Sequence, residues 1–482
     1  MKPTQTAVVA AALALAPTVT NAELVLEPCR VEAPRLPSVA ASCGRLSLPE
    51  NPREPDGRAI EIFVARVPSL SPEPQPDPLV VIAGGPGQAA SRLYAASRAA
   101  FEAIRRDRDI VLVDQRGTGE SAPLTCPSVS TASLGSTDPS QLPDSMRTCL
   151  ASLAGDPRYY TTSVAVADLD AVREALGVER WNLYGVSYGT RVAQHYLRRY
   201  PERVRALILD GAVPSGAAFG PDIAVHAQRA LDLILSRCAA SAACDAQYPD
   251  TAGALTTLLA TLDAAPVELS LADPMTAEPI ALTLTGDDVR AVVRLLSYTP
   301  QSAALIPLLI DAARAGNAAP LAAQNRMLTA DLESELSLPM HNAVVCTEDV
   351  PFFPNVSIAE TVTTYLGTSV SDALRAVCSV WPVGERDDEL REPVVADHPV
   401  LILSGDADPI TPPNYGQRVA ATLANARHIV AEGQGHGLAS IGCTPRLLRE
   451  FITSLEPETL DTSCLDRTRR TPFFLDFSGP AP

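Results

Sequence analysis

Short apolar runs separated by helix-patterned stretches dominate the first half of the chain. Positions 59–67 alternate through Ile60, Ile62 and Val64 like a strand. Four more runs, 79–83, 109–113, 180–184 and 204–209, are rich in β-branched residues or leucine and end in Gly or Asp turns. Helical patterns lie between them; in 163–176, Ser163 is a candidate N-cap, and Ala165, Leu169, Val172 and Leu176 share one face. Strand and helix in alternation predict an α/β fold on a parallel sheet.

Residues 23–58 are proline-rich and read as an irregular N-terminal extension, and the four prolines of 69–78 mark a surface loop. Beyond about 215 the pattern changes to Ala- and Leu-rich helical stretches such as 224–236, 287–296 and 303–313. Strand signals return at 400–403 and 428–431, with a helix near 445–454. The simplest account is one sheet domain in two segments, 59–215 and 396–482, carrying a mostly helical cap, 216–395. Internal repeats and long low-complexity tracts are absent from the sequence.

The N-terminus combines Lys2, an apolar run over 7–16, Pro17 and Thr20-Asn21-Ala22, the makings of a signal peptide over 1–22 with cleavage after Ala22. Ten apolar residues are too few for a membrane span, which needs about 20. Ten cysteines, none in a C-x-x-C pair, point to disulfides in an oxidising compartment and away from zinc or dithiol redox motifs. Their connectivity is open; pairing neighbours in order would close five short loops. A secreted or periplasmic location is expected.

With 482 residues, 46% of them hydrophobic, the chain can bury a large core. Lys2 is the only lysine, so the processed chain lacks one, which removes pyridoxal Schiff-base chemistry, the Gly-Lys-Ser/Thr phosphate loop and the kinase lysine. A net charge of −18 argues against nucleic-acid and membrane-surface partners.

Gly185-Val186-Ser187-Tyr188-Gly189 follows a strand-like run and precedes a helix-like one. That is the setting of a nucleophile elbow, where glycines flank a serine held on a sharp strand-to-helix turn. A serine hydroxyl needs a base, and the base a partner that sets its tautomer. In folds with this elbow, the acid and then the histidine follow the serine in the chain. Asp408, three residues past Gly405 and held by Pro409, is the expected acid; Asp406 reads as a turn or capping residue. Only His428 and His436 follow Asp408. His428 opens an apolar strand and reads as structural, whereas His436 lies in the flexible loop Gly433-Gln434-Gly435-His436-Gly437 and is the expected base. His195, His226, His341 and His398 read as structural or surface residues. Two N–H donors are needed for the oxyanion: Tyr188, directly after the nucleophile, and Gly85 in the loop Ala83-Gly84-Gly85-Pro86-Gly87.

Taken together, 83–88, 109–121, the elbow, 209–214, the Asp408 turn and the His436 loop resemble the α/β-hydrolase family of prolyl and tripeptidyl aminopeptidases. The resemblance covers roughly 59–215 and 396–455. It implies an α/β-hydrolase fold, with a mostly parallel central sheet and a helical cap inserted after the sixth strand. It also implies a secreted serine exopeptidase that removes proline or short peptides from peptide N-termini; acyl transfer by the Ser187, His436 and Asp408 set needs no metal or organic cofactor. One departure is Ala83, where the family often has histidine. The segment 344–349 resembles the end of the family's cap, which implies Glu348, with Asp349 second, as residues binding the substrate amine, anchored if Cys346 is bridged to Cys378. Asp114-Gln115-Arg116-Gly117 reads as structural, with Arg116 holding a carboxylate or loop carbonyls. A carboxylesterase or lipase acting on small esters with the same triad is the first rival reading, and a catalytically silent binding module the second.

Overall fold

The computed structural model describes residues 24–127, 140–353, 361–468 and 470–480; the expected signal peptide lies outside them. Apart from a short antiparallel pair, Phe474–Asp476 with Gly479–Pro480, its strands are β1 (Glu27–Val31), β2 (Val39–Pro49), β3 (Ala59–Val67), β4 (Leu79–Ile82), β5 (Ile110–Val113), β6 (Trp181–Val186), β7 (Val204–Asp210), β8 (Val267–Ala272), β9 (Pro279–Leu284), β10 (Ala396–Gly405) and β11 (Leu423–Ala431). β8 and β9 form a separate hairpin, and the other nine make one sheet in the order β1-β2-β3-β5-β4-β6-β7-β10-β11. From β5 to β11 every neighbouring pair is parallel. β1, β2 and β3 are antiparallel.

Successive residues of the inner strands serve opposite faces, as the pleat requires. Ile62, Val80, Val111, Leu183, Leu207 and Ile402 pack on one side under helices 162–175 and 188–199. Leu79, Val81, Leu112, Tyr184, Ile208 and Leu401 pack on the other, against Phe101, Leu447 and Phe451. Continuous apolar runs such as Leu-Val-Val-Ile in β4 follow from burial on both sides.

Two sequence expectations are corrected. Within 23–58, expected to be irregular, β1 and β2 extend the sheet through β3. Prolines masked them: Pro28 sits on the edge strand, where a missing N–H costs no ladder bond, and Pro49 ends β2. The Cys29–Cys43 disulfide fastens the pair. With these two added to the five strands read before residue 215, the cap follows the seventh strand of the chain, where the resemblance implies the sixth.

Helices including Pro221–Ala239, Thr251–Ala264, Gly286–Leu296 and Ile306–Arg314 build the cap around their own apolar core of Leu231, Leu255, Leu259, Val292 and Ile310. All ten cysteines are paired in sequential order: Cys29–Cys43, Cys126–Cys149, Cys238–Cys244, Cys346–Cys378 and Cys443–Cys464. Among the described residues no helix is long and apolar enough to cross a membrane.

Candidate active site

The loops that follow β4, β6, β7, β10 and β11 meet at the carboxyl edge of the parallel strands, where open α/β sheets bind ligands. After β6, Ser187 turns sharply (φ 56°, ψ −125°) into the helix Tyr188–Arg199. Positive φ is strained for a serine, and the turn is pinned on both sides. Ser187 N–H donates to Asp210 O at 2.9 Å, and Thr190 N–H and hydroxyl donate to Ser187 O at 2.9 and 2.6 Å. The flanking glycines are needed for close approach: a Cβ on Gly185 would lie 2.4 Å from Gly189 O, and one on Gly189 2.4 Å from Ile82 O.

His436 sits in the loop past β11 and Asp408 in the turn past β10, and their 2.8 Å contact joins imidazole Nδ1 to carboxylate Oδ2. A carboxylate only accepts, so Nδ1–H donates and Nε2 is left as the basic nitrogen. Asp408 is fully buried; Ile410 and Thr411 N–H donate to its Oδ1 at 2.9 and 2.8 Å, and the Thr411 hydroxyl to Oδ2 at 2.8 Å. Burial works against its charge, but His436 and these N–H groups outweigh it and hold the carboxyl below its ordinary range. Burial likewise disfavours the His436 imidazolium, yet the charge and hydrogen bond of Asp408, with the charge of Asp210, raise its pKa above the usual 6.5. His436 lies over Gly211, where a Cβ would come 3.0 Å from Cε1.

The 83–87 loop lies against the serine: a Cβ on Gly84 would be 3.0 Å from Ser187 Cβ. Among the described residues, Gly85 and Tyr188 N–H donate to no other backbone group. Support for this loop comes from the cap, where Ser337 N–H donates to Gly87 O at 2.9 Å and His341 Nδ1 to Pro86 O at 3.3 Å. His341 therefore backs the loop in which Ala83 replaces the family's histidine, a role the sequence does not signal.

Ser187 opens on a cavity of about 520 Å³, part of it open to solvent. Its wall is mostly apolar, including Pro86, Val213, Phe219, Ile223 and Ile410. Asp349, Arg191, Asp222, His226 and Tyr415 add polar groups. Glu348, the first choice for amine binding, is not on this wall. Its buried carboxylate accepts from Thr162 N–H and hydroxyl, both at 2.7 Å, and Arg191 stands 3.5 Å away. Tyr188 O–H donates in turn to the Thr162 oxygen at 2.7 Å, so Glu348 braces the residue after Ser187. Burial pushes Glu348 up to about 7 against the pull of Arg191 and Thr162. Asp349 does face the cavity, but Arg191 donates to it at 2.7 and 3.2 Å and Phe219 N–H at 2.9 Å. Asp222 was missed: it lies on the wall, accepts from Tyr415 O–H at 3.0 Å, and is in no ion pair among the described residues.

The remaining polar residues hold structure. Asp406 accepts from Gly433 N–H and pairs with Arg237, as a turn residue should. His428 bonds Ser404 at 3.0 Å. Arg116 grips Asp168 with two bonds of 2.6 Å and Glu50 O with one of 2.7 Å. Among the described residues no group of three or more His, Cys, Asp and Glu is arranged to hold a metal ion.

Comparison with known proteins agrees with this architecture. Residues 77–237 match a family model described as alpha/beta hydrolase fold, and residues 354–464 one described as TAP-like protein. The chain has the α/β-hydrolase fold. Relatives of this chain include serine protease Hip1 of Mycobacterium tuberculosis, 31% identical over 211 residues covering 39% of each chain. Tripeptidyl aminopeptidase of Streptomyces coelicolor is 28% identical over 36% of this chain and 35% of its own. A probable proline iminopeptidase of the same organism is 33% identical over 30% of this chain and 36% of its own. These matches thus span little more than a third of the curated relatives' length.

Proposed function

We propose that this α/β hydrolase is a serine exopeptidase, acting outside the cytoplasm, that releases proline or short peptides from free N-termini. His436 Nε2 takes the proton of Ser187 Oγ as the serine attacks the scissile carbonyl, and Asp408 orients and stabilises the imidazolium. Gly85 and Tyr188 N–H groups receive the oxyanion. The imidazolium returns its proton to the leaving amine, and water, deprotonated by His436, then frees the acyl group. The observation that carries the reading is a serine on a strained elbow opening onto a mostly apolar cavity with two carboxylates, Asp222 and Asp349, on its wall. Five disulfides support an oxidising compartment.

An exopeptidase must take the substrate's ammonium group. Asp349 is neutralised by Arg191, whereas Asp222 accepts from the Tyr415 hydroxyl and is in no ion pair among the described residues. Asp222 is therefore the better amine partner. A charge-assisted hydrogen bond contributes about 1.5–3 kcal/mol, so Asp222→Asn is expected to raise KM for a free-amine peptide by about tenfold or more. The same change should leave an N-acetylated ester unaffected. Equal wild-type rates on free-amine and N-acetylated peptides would remove amine recognition and leave the carboxylesterase reading.

The raised pKa of His436 sets the pH response: the imidazolium, which cannot act as a base, persists to higher pH than for a free histidine. The acid limb of kcat/KM is thus expected to have its midpoint above 6.5, while Asp408 stays ionised throughout. A kcat/KM profile that stays flat to about pH 4 would exclude His436 as the base.

A further inference from the structure

The turn at the end of β7 is a motif that the catalytic roles above leave unused. Asp210 is fully buried and no cation pairs with it among the described residues. Its backbone carbonyl accepts the elbow N–H of Ser187 at 2.9 Å. Its carboxylate accepts Leu438 N–H at 2.8 and 2.9 Å, Ala439 N–H at 2.9 Å, and Tyr184 O–H at 2.9 Å. The next residue, Gly211, donates to Leu403 O on the strand that leads to Asp408. One dipeptide therefore ties the serine elbow, the histidine loop and the acid's strand together.

We propose that Asp210 is a positioning residue of the hydrolytic site, fixing the His436 loop against the elbow and placing a second negative charge behind the imidazole. The inference rests on His436 being the general base. The other backbone anchors of this loop hold its N-terminal half and His436 itself: Gly433 N–H donates to Asp406 at 2.8 Å, Gln434 O accepts from Ala407 N–H at 3.0 Å, and His436 N–H donates to Tyr298 O of the cap at 2.7 Å, so the stretch after His436 depends on Asp210. The titratable groups facing His436 are Asp408 after β10, Asp210 at the end of β7, and Tyr298 from the cap, whose hydroxyl accepts from Arg294. Burial raises the Asp210 pKa, opposed by the Leu438 and Ala439 N–H groups, Tyr184 and His436. Because all its protein partners at the carboxylate are donors, the ionised form is the one this cradle fits.

The test is the second-order rate of fluorophosphonate labelling of the full chain as a function of pH. Asp210→Asn is expected to slow labelling about 10- to 100-fold, by analogy with the loss of outer-shell partners that orient metal-bound histidines. With a negative charge gone, the imidazolium is less stable, so the acid limb should also move to lower pH, by about half a unit. Tyr184→Phe keeps the charge and the N–H bonds, and is expected to slow labelling about threefold with the midpoint unmoved. A folded Asp210→Asn that labels at the wild-type rate, or more slowly with an unmoved midpoint, overturns the proposal. If Asp210→Asn does not fold, Tyr184→Phe at the full wild-type rate overturns it, and a slowed Tyr184→Phe supports it. A wild-type chain that does not label removes the base assignment and this inference together, whereas a labelled wild type with an indifferent Asp210→Asn removes the inference alone.

Discussion

Ser187→Ala is expected to lower kcat by about 10⁶, to the residual rate that oxyanion stabilisation and substrate binding sustain without a nucleophile. The fold should tolerate the change, because the turn is held by backbone contacts: Ser187 N–H to Asp210 O, and Thr190 to Ser187 O, survive loss of the hydroxyl. The positive φ at this position is no worse for alanine than for serine. Steady-state hydrolysis of a chromogenic ester and of a free-amine peptide both measure the loss. Retention of either activity in a folded Ser187→Ala protein would take the nucleophile away from this residue.

Asp408→Asn is expected to lower kcat by about 10⁴ with little change in KM. The carboxylate now receives Nδ1–H of His436, two backbone N–H groups and the Thr411 hydroxyl. An amide in its place presents an N–H₂ group to at least one of these donors, and the imidazole can satisfy it only in the tautomer that puts its proton on Nε2. That tautomer cannot accept the serine proton. A kcat within tenfold of wild type, measured at a pH above the acid limb, would show that another group orients the base.

The sheet's parallel half was legible because its signals are local. Leu-Val-Val-Ile and Ile-Val-Leu-Val are buried on both faces, so their composition alone marks them. Ser187 was legible for the same reason, since the strand, the flanking glycines and the following helix lie within about twenty residues. Asp408 and His436 needed only chain order and turn chemistry to be paired, and their 2.8 Å contact follows that pairing. β1 and β2 are obscured in the sequence because frequent prolines give an irregular segment and an edge strand the same local signal, and an edge strand accommodates proline well.

Contacts set by the tertiary fold were harder to read. Glu348 and Asp349 are adjacent in sequence, but the helix Leu338–Glu348 ends between them, so one turns toward Thr162 and the other toward the cavity. Nothing local marks which is which, because their common partner Arg191 is more than 150 residues away. Asp222 is one of 56 acids, and its place on the cavity wall depends on how the helix Pro221–Ala239 crosses the site and brings it to Tyr415. The support that His341 gives the 83–87 loop is likewise created only when the cap docks.

The most direct test of a single hydrolytic site at the sheet edge is to treat the full chain with a fluorophosphonate and locate the adduct by peptide mass spectrometry. The expected result is one adduct, on Ser187, that disappears in His436→Ala. An adduct on a different residue, or one on Ser187 that forms equally fast without His436, would contradict the account.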